Sequence, residues 1–228
     1  METSRDCRDC PFRSPLFKLL TGEQLLFVHQ NKHTVKFNEG ETIMKQGTKM
    51  SHVLSVNTGL AKLYLEGPDH RNSIIRIVKP TSFVGGAGMY LDQYHHYTLT
   101  ALVETTVCFI DIAVFKQLIM ENVSFYEEFM RDFSSNILAI YNRLMFLTQK
   151  QMPGRMADTL IYLFDEIFQA RQFKMSLSKQ DLADLSGMSK DSAIKILREF
   201  QKDGIIEFND DSIELLYPDL IYRISNIG

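Results

Sequence analysis

Lys190, Asp191, Lys195 and Arg198, in the last quarter of this 228-residue chain, have types and spacing suited to a nucleic acid. Lysine and arginine donate to phosphates and guanine edges, and an aspartate accepts from the cytosine amine. Ala193, Ile196, Leu197 and Phe200 recur at helical spacing between them, so the charged set would form the outward side of one amphipathic helix. A second chemical group is thiol. Cys7-x-x-Cys10 opens the chain and Cys108 sits in ALVETTVCFID. Thiolates bind zinc and iron–sulfur centres, and three cysteines are no disulfide framework. No nucleophile–base pair, nucleotide-binding glycine loop or complete metal-ligand set is present, so the reading is not an enzyme. A cupin-like metal enzyme is the remote alternative. It would need His-x-His with a following Glu, whereas His95 and His96 are adjacent and, on a strand, face opposite ways.

The elements around the charged set form a helix-turn-helix over 177–197. Ser178 caps a first helix, with Asp181 completing an acidic capping box. Leu182, Ala183 and Leu185 give it an apolar face, and Gly187 makes a tight turn at positive φ. Ser189 caps the second helix, and small Ala183 faces small Ala193. Ser178, Ser189, Ser192 and Arg198 suit phosphates or caps, which position without reading sequence. Gly204 ends the second helix. IIEF-NDD-SIELL then reads as a hairpin wing, acidic at its tip through Asp210 and Asp211 beside Asn209.

Upstream, residues 155–169 form an amphipathic helix. One long helix runs over 124–152. Met130, Phe133, Ile137, Ile140, Leu144 and Leu147 make an a/d seam along it, read as a parallel coiled-coil dimer interface. Leu138, Tyr141 and Met145 form a second stripe beside the seam. Pro153-Gly154 is expected to end this helix and act as a hinge. From 34 to 112 the texture is β: TVKF, TIMKQ, HVLSV, LAKLYL and SIIRIV alternate with turns, and Gly40, Gly47, Gly59 and Gly67 are expected at positive φ there. Residues 17–29 read as a short helix opened near Thr21. The fold class is α+β: an antiparallel β-roll with an N-terminal arm (1–123), a dimerisation helix (124–152) and a winged helix-turn-helix (153–228).

Composition is that of an ordinary globular protein, 45% hydrophobic and 23% charged. Its formal charge of −3 leaves DNA binding to a local patch. No apolar run is long enough to span a membrane, and METSRDCRDCPFRSP lacks the apolar core of a signal peptide. The expectation is a cytoplasmic protein with no membrane partner.

The order roll, long helix, hinge and winged helix-turn-helix resembles the CRP/FNR family of bacterial transcription regulators. The similarity covers nearly the whole chain. It rests on Phe37-x-x-Gly40-x-x-Ile43-x-x-Gln46-Gly47, Ser82-Phe83-Val84-Gly85, Gly154-Arg155-Met156-Ala157 and the helix-turn-helix with Ala183 and Gly187 in place. The resemblance implies a homodimer on an inverted repeat in double-stranded DNA, with RNA polymerase as a further partner. Lys190, Asp191 and Lys195 match the family's base-reading positions. It also implies an effector pocket at Gly85, Gly86, Ala87, Gly88, His96 and Tyr97, facing Tyr141 and Met145. Cyclic-nucleotide members carry G-E-x-G and then Arg-Ser. Here Gly86 replaces the carboxylate and His96 the arginine, which argues against cAMP because a phosphate loses its bidentate partner. FNR members bind a [4Fe–4S] cluster through N-terminal cysteines and one in the roll, so Cys7, Cys10 and Cys108 are candidate ligands, with Asp6, Asp9 or His29 as a possible fourth. Other members sense gases through haem, for which His29, His33, His52, His70, His95 and His96 are axial candidates. The effector is left open among an unidentified small molecule, a cluster and haem.

Overall fold

The computed structural model describes residues 6–68, 71–85, 87–209 and 211–228, so His70, Gly86 and Asp210 lie outside the described residues. The chain divides into two compact units, Met1–Glu66 with Ile77–Ala139 and Gly67–Arg76 with Ile140–Gly228.

The first unit begins with an arm whose short 3-10 turns are Cys7–Asp9 and Leu16–Leu19. Helix α1 (Gly22–Gln30) follows, closed at its start by a capping box in which the Thr21 hydroxyl accepts from the Gln24 amide and the Gln24 side chain accepts from the Thr21 amide. The expected helix over 17–29 is thus split. Phe17 is buried in the arm, and the helix begins where Thr21 can cap it.

The five strands read from the sequence are present: β1 (Lys32–Phe37), β2 (Thr42–Met44), β3 (His52–Thr58), β4 (Ala61–Leu65) and β5 (Ser73–Val78). They are joined by β6 (Phe83–Val84), β7 (Thr98–Ala101) and β8 (Thr105–Asp111). The strands make two four-stranded sheets, ordered β1-β8-β3-β6 and β2-β7-β4-β5. Gly40, Gly47 and Gly59 have φ of +82°, +80° and +86°. Gly67 does not share that conformation; a Cβ there would instead strike the Arg71 carbonyl. His95 and His96 precede β7 in a loop, so they are not on opposite faces of a strand.

Asp111 caps α2 (Ile112–Glu121), and α3 (Val123–Gln149) follows. An aromatic cluster fixes the start of α3. Phe115 stacks on Phe83 at 4.8 Å between ring centroids, and Phe125 and Phe129 each meet Phe115 edge-on at 5.4 Å. Phe17 of the arm joins edge-on to Phe125 at 5.8 Å. Such pairs contribute about 0.5–1.5 kcal/mol each beyond the area they bury.

The second unit holds the later part of α3, then α4 (Met152–Ile161), which runs into one π-helical segment (Tyr162–Ile167). Next come β9 (Gln172–Lys174), α5 (Lys179–Ser186), α6 (Lys190–Lys202), β10 (Ile206–Phe208), β11 (Ser212–Leu215) and α7 (Pro218–Ile227). The expected end of the long helix at Pro153-Gly154 is displaced. The break falls at Lys150 and Gln151, and Pro153 stands in the first turn of α4, where its missing N–H loses no hydrogen bond. Gly154 has a packing role: a Cβ there would lie 2.9 Å from the backbone of Gly228, beyond α7. The wing has three strands rather than two, in the order β10-β11-β9. Among the described residues no helix is long and apolar enough to cross a membrane.

Candidate DNA-binding helix and a cavity beneath the N-terminal arm

Ser178 caps α5 as its spacing predicts. Its hydroxyl accepts from the Asp181 amide at 3.1 Å, and the Asp181 carboxylate accepts from the Ser178 amide at 2.9 Å. Gly187 ends α5 in the left-handed region, φ +64° and ψ +44°. Ser189 then caps α6, its hydroxyl accepting from the Ser192 amide at 3.2 Å and donating to the Ser192 hydroxyl at 2.9 Å. Leu182, Ala183, Ala193 and Leu197 are fully buried, and Ile196 and Phe200 nearly so. The buried face fixes the rotation of α6. Lys190, Asp191, Lys195 and Arg198 are therefore all exposed on its other side. That side continues through Glu199 and Lys202 as a shallow groove, and the Lys195 ammonium stands 4.0 Å from the Glu199 carboxylate. With four cations and two carboxylates the face is net positive in a chain that is net negative.

Two arginines tie the turn of this motif to neighbouring helices of the same unit. Arg155 on α4 donates to the Gly187 carbonyl at 2.6 Å, and Arg143 on α3 donates to the Asp184 carbonyl at 3.3 Å. Arg143 also lies 4.6 Å from the centroid of the Phe146 ring. Burial, with the Arg155 charge second, pulls Arg143 down to about 10. A Cβ on Gly187 would run into the Leu147 side chain, so Leu147 of the expected seam lies against the turn. Sequence reading missed Arg143. Its signal was a cation inside a heptad pattern, which by itself reads as a solvated position.

Of the other seam residues, Phe133 sits against Phe129 at 6.3 Å between centroids, and Ile137 is half-buried. Met130, Ile140 and Leu144 are exposed at 37%, 52% and 60%, beside exposed Leu138, Tyr141 and Met145. In the wing, the Asn209 side chain accepts from the Asp211 and Ser212 amides at 2.9 and 2.8 Å, forming a closed turn.

The Tyr97 hydroxyl donates to the Gly85 carbonyl at 3.0 Å, and Ala87–Met89 form a short 3-10 turn with Gly88 buried. His96, at the position of the missing arginine, faces Asp92 at 3.1 Å and is half-exposed. Tyr141 and Met145 belong to the second unit. Of the haem candidates, His33 stacks on Phe109 at 5.0 Å and meets His52 edge-on at 4.9 Å. His52 and His95 line a pocket of 230 Å³, below the usual small-molecule range of roughly 300–1,000 Å³.

A cavity of 820 Å³ lies within the first unit and collects all three cysteines. The arm supplies Cys7, Cys10, Phe12 and Arg13, and α1 supplies Leu25 and Val28. The opposite wall is one face of the β1-β8-β3 sheet. Antiparallel register aligns Thr34 with Cys108 and Cys108 with Ser55, and one step along it aligns Lys36 with Thr106 and Thr106 with Thr58. Asn57 donates to Cys108 Sγ at 3.1 Å, and the Thr34 hydroxyl lies 3.4 Å from the same sulfur. All three thiols are free. Burial pushes Cys7 up to about 11, so its sulfur is a neutral S–H near pH 7.

This donor set does not fit an iron–sulfur cluster. Among the described residues no three His, Cys, Asp or Glu side chains are placed to hold a metal ion. The Asp6 carboxylate, a candidate fourth ligand, is engaged by Arg8 at 2.6 Å, which holds it well below the usual carboxylate range. No histidine lines the cavity.

The comparisons agree with this architecture. The model of the cyclic nucleotide-binding domain matches residues 34–122, and that of the Crp-like helix-turn-helix domain matches 154–224. The chain is 24% identical over 216 residues to the transcriptional activator protein FnrA of Stutzerimonas stutzeri, covering 92% of this chain and 88% of FnrA. It is 23% identical over 209 residues to the transcriptional activator protein FnrL of Cereibacter sphaeroides, covering 88% and 83%. The structure of FixK2 from Bradyrhizobium japonicum superposes with a TM-score of 0.78 at 17% identity, covering 86% of this chain and 98% of that one. FnrA and FnrL are transcriptional activators rather than enzymes, in line with the sequence reading. With a roll, a long helix and an α6 whose outward face is net positive, this chain belongs to the CRP/FNR family of DNA-binding transcription regulators.

Proposed function

We propose that the chain acts as a homodimer whose two α6 helices enter successive major grooves, about 34 Å apart, and read an inverted repeat. The observation that carries this reading is the α6 face, where Lys190, Asp191, Lys195 and Arg198 are exposed opposite a closed apolar side. Lys190 and Lys195 donate to guanine edges, Asp191 accepts from a cytosine amine, and Arg198 with the N-terminal amides of α6 holds phosphate. The exposed stripe of Met130, Ile140 and Leu144 supports pairing through α3. The regulator works in the cytoplasm, and RNA polymerase is its further partner. An effector taken up by the first unit sets its activity. The cavity chemistry supports an organic ligand over a cluster or haem, and half-exposed His96 where arginine is needed speaks against cAMP.

Gel-shift titration of purified protein against sheared genomic DNA tests the reading. The expected result is retention of a subset of fragments, lost in Lys195→Ala while weak retention of bulk DNA persists. Equal retention of all fragments by both proteins would overturn it.

A further inference from the structure

The 820 Å³ cavity beneath the arm has a consistent chemistry that the DNA-binding reading does not use. Its lining holds three cationic residues, Arg13, Lys32 and Lys36, and no aspartate or glutamate, although the Lys36 ammonium is paired with Glu104 at 2.8 Å just outside the lining. Arg13 comes from the arm, whereas Lys32 and Lys36 come from β1, so the cations belong to two different walls. Phe12, Phe17, Leu25, Val28 and Ile110 supply apolar surface. A hydroxyl and amide row made by Thr34, Ser55, Asn57 and Thr106 crosses the sheet wall. Among the thiols, Cys7 is buried and Cys108 is already engaged by Asn57. Arg13 and Lys32 disfavour a metal cation, and a buried thiol is a poor nucleophile. An apolar lining with a few convergent polar groups is the usual make-up of a small-molecule site, and the volume lies within its range of roughly 300–1,000 Å³.

We infer that this cavity binds an amphipathic organic anion, with its carboxylate between Arg13 of the arm and Lys32 of β1 and its apolar body against Phe12, Leu25 and Val28. Such a ligand would join the arm to the sheet, because its head is shared between the two walls. The inference rests on the regulator reading only in naming the ligand an effector; the binding itself stands on the cavity.

Dodecanoate and the neutral dodecanol are suitable probes, measured by calorimetric titration of the full chain. Charge-assisted hydrogen bonds to the head predict that dodecanoate binds at least about ten-fold more tightly than dodecanol. The difference should vanish in Arg13→Gln/Lys32→Gln. Bound dodecanoate should slow alkylation of Cys10 by iodoacetamide, read by intact mass. Thr34→Trp, an exposed substitution at the cavity wall, should weaken both probes without unfolding the protein and covers the case in which the double variant fails to fold. Equal affinity for acid and alcohol, or full affinity in Thr34→Trp, would overturn the inference. Gel shifts on the same samples separate the two readings. Protein that retains DNA but ignores dodecanoate refutes the cavity alone. Protein that binds dodecanoate as described but selects no DNA refutes the regulator reading alone.

Discussion

The α6 face and the arm cavity present ligand-facing side chains in opposite ways. On α6 they lie along one helix, and a single buried face orients all of them. In the cavity they come from positions as distant as Cys7 and Cys108, and they meet only because β1 pairs with β8 and β8 with β3. The first kind of site depends on one amphipathic pattern. The second depends on sheet register, in which a slip of one residue would turn Thr34, Lys36 and Cys108 to the other face.

The largest expected effect removes the support of α6. Phe200→Ala empties a buried site and should cost about 3–5 kcal/mol. Chemical denaturation is expected to show the second unit losing stability, with DNA retention lost and dodecanoate binding by the first unit kept. Loss of both together would show that the two sites are not built independently. Next is Gly187→Val, which forces a β-branched residue to φ +64° against Leu147. The left-handed conformation alone costs about 1–2 kcal/mol, and a drop in melting temperature measures it. Lys195→Ala should cost about 1–3 kcal/mol of base discrimination while leaving fold and non-specific binding intact; competition gel shifts against unrelated DNA read this directly. Ser178→Ala removes the cap of α5 and should cost about 1 kcal/mol, seen as a small shift in denaturation midpoint.

The smallest effect concerns the cavity thiols. With Cys7 raised by burial to about 11, folding is favoured by its neutral form. That contribution is complete below the unfolded thiol's ordinary value near 9 and is lost as pH rises from there through 11. Near neutral pH, iodoacetamide should therefore modify half-buried Cys10 well before Cys7. Modification of Cys7 first would show that the arm does not cover it.

The same contrast explains what the sequence disclosed. The helix-turn-helix was legible residue by residue, because caps, turn glycine and apolar periodicity are local signals, and Ser178, Gly187 and Ser189 sit where those signals put them. Five strands of the roll were legible for the same reason. The break of the long helix was misplaced by two to three residues. Proline was read as a terminator, yet it serves equally well to open α4. Strand β9 and helix α7 escaped because three residues of strand leave no period, and α7 has no side-chain cap at Tyr217. The cysteines were singled out individually, whereas Arg13, Lys32 and Lys36 were not. Their meeting with the cysteines was not legible, since nothing local specifies which strand covers which arm.

The central claim is that exposed residues of α6, presented twice by a dimer, read DNA sequence. Selection from a random duplex library by the purified chain, followed by sequencing, tests it most directly. The account predicts enrichment of an inverted repeat with half-sites about 10 base pairs apart centre to centre, and a changed half-site when Lys195→Ala is used. A selected pool without a repeat, or an identical motif from the variant, would contradict it.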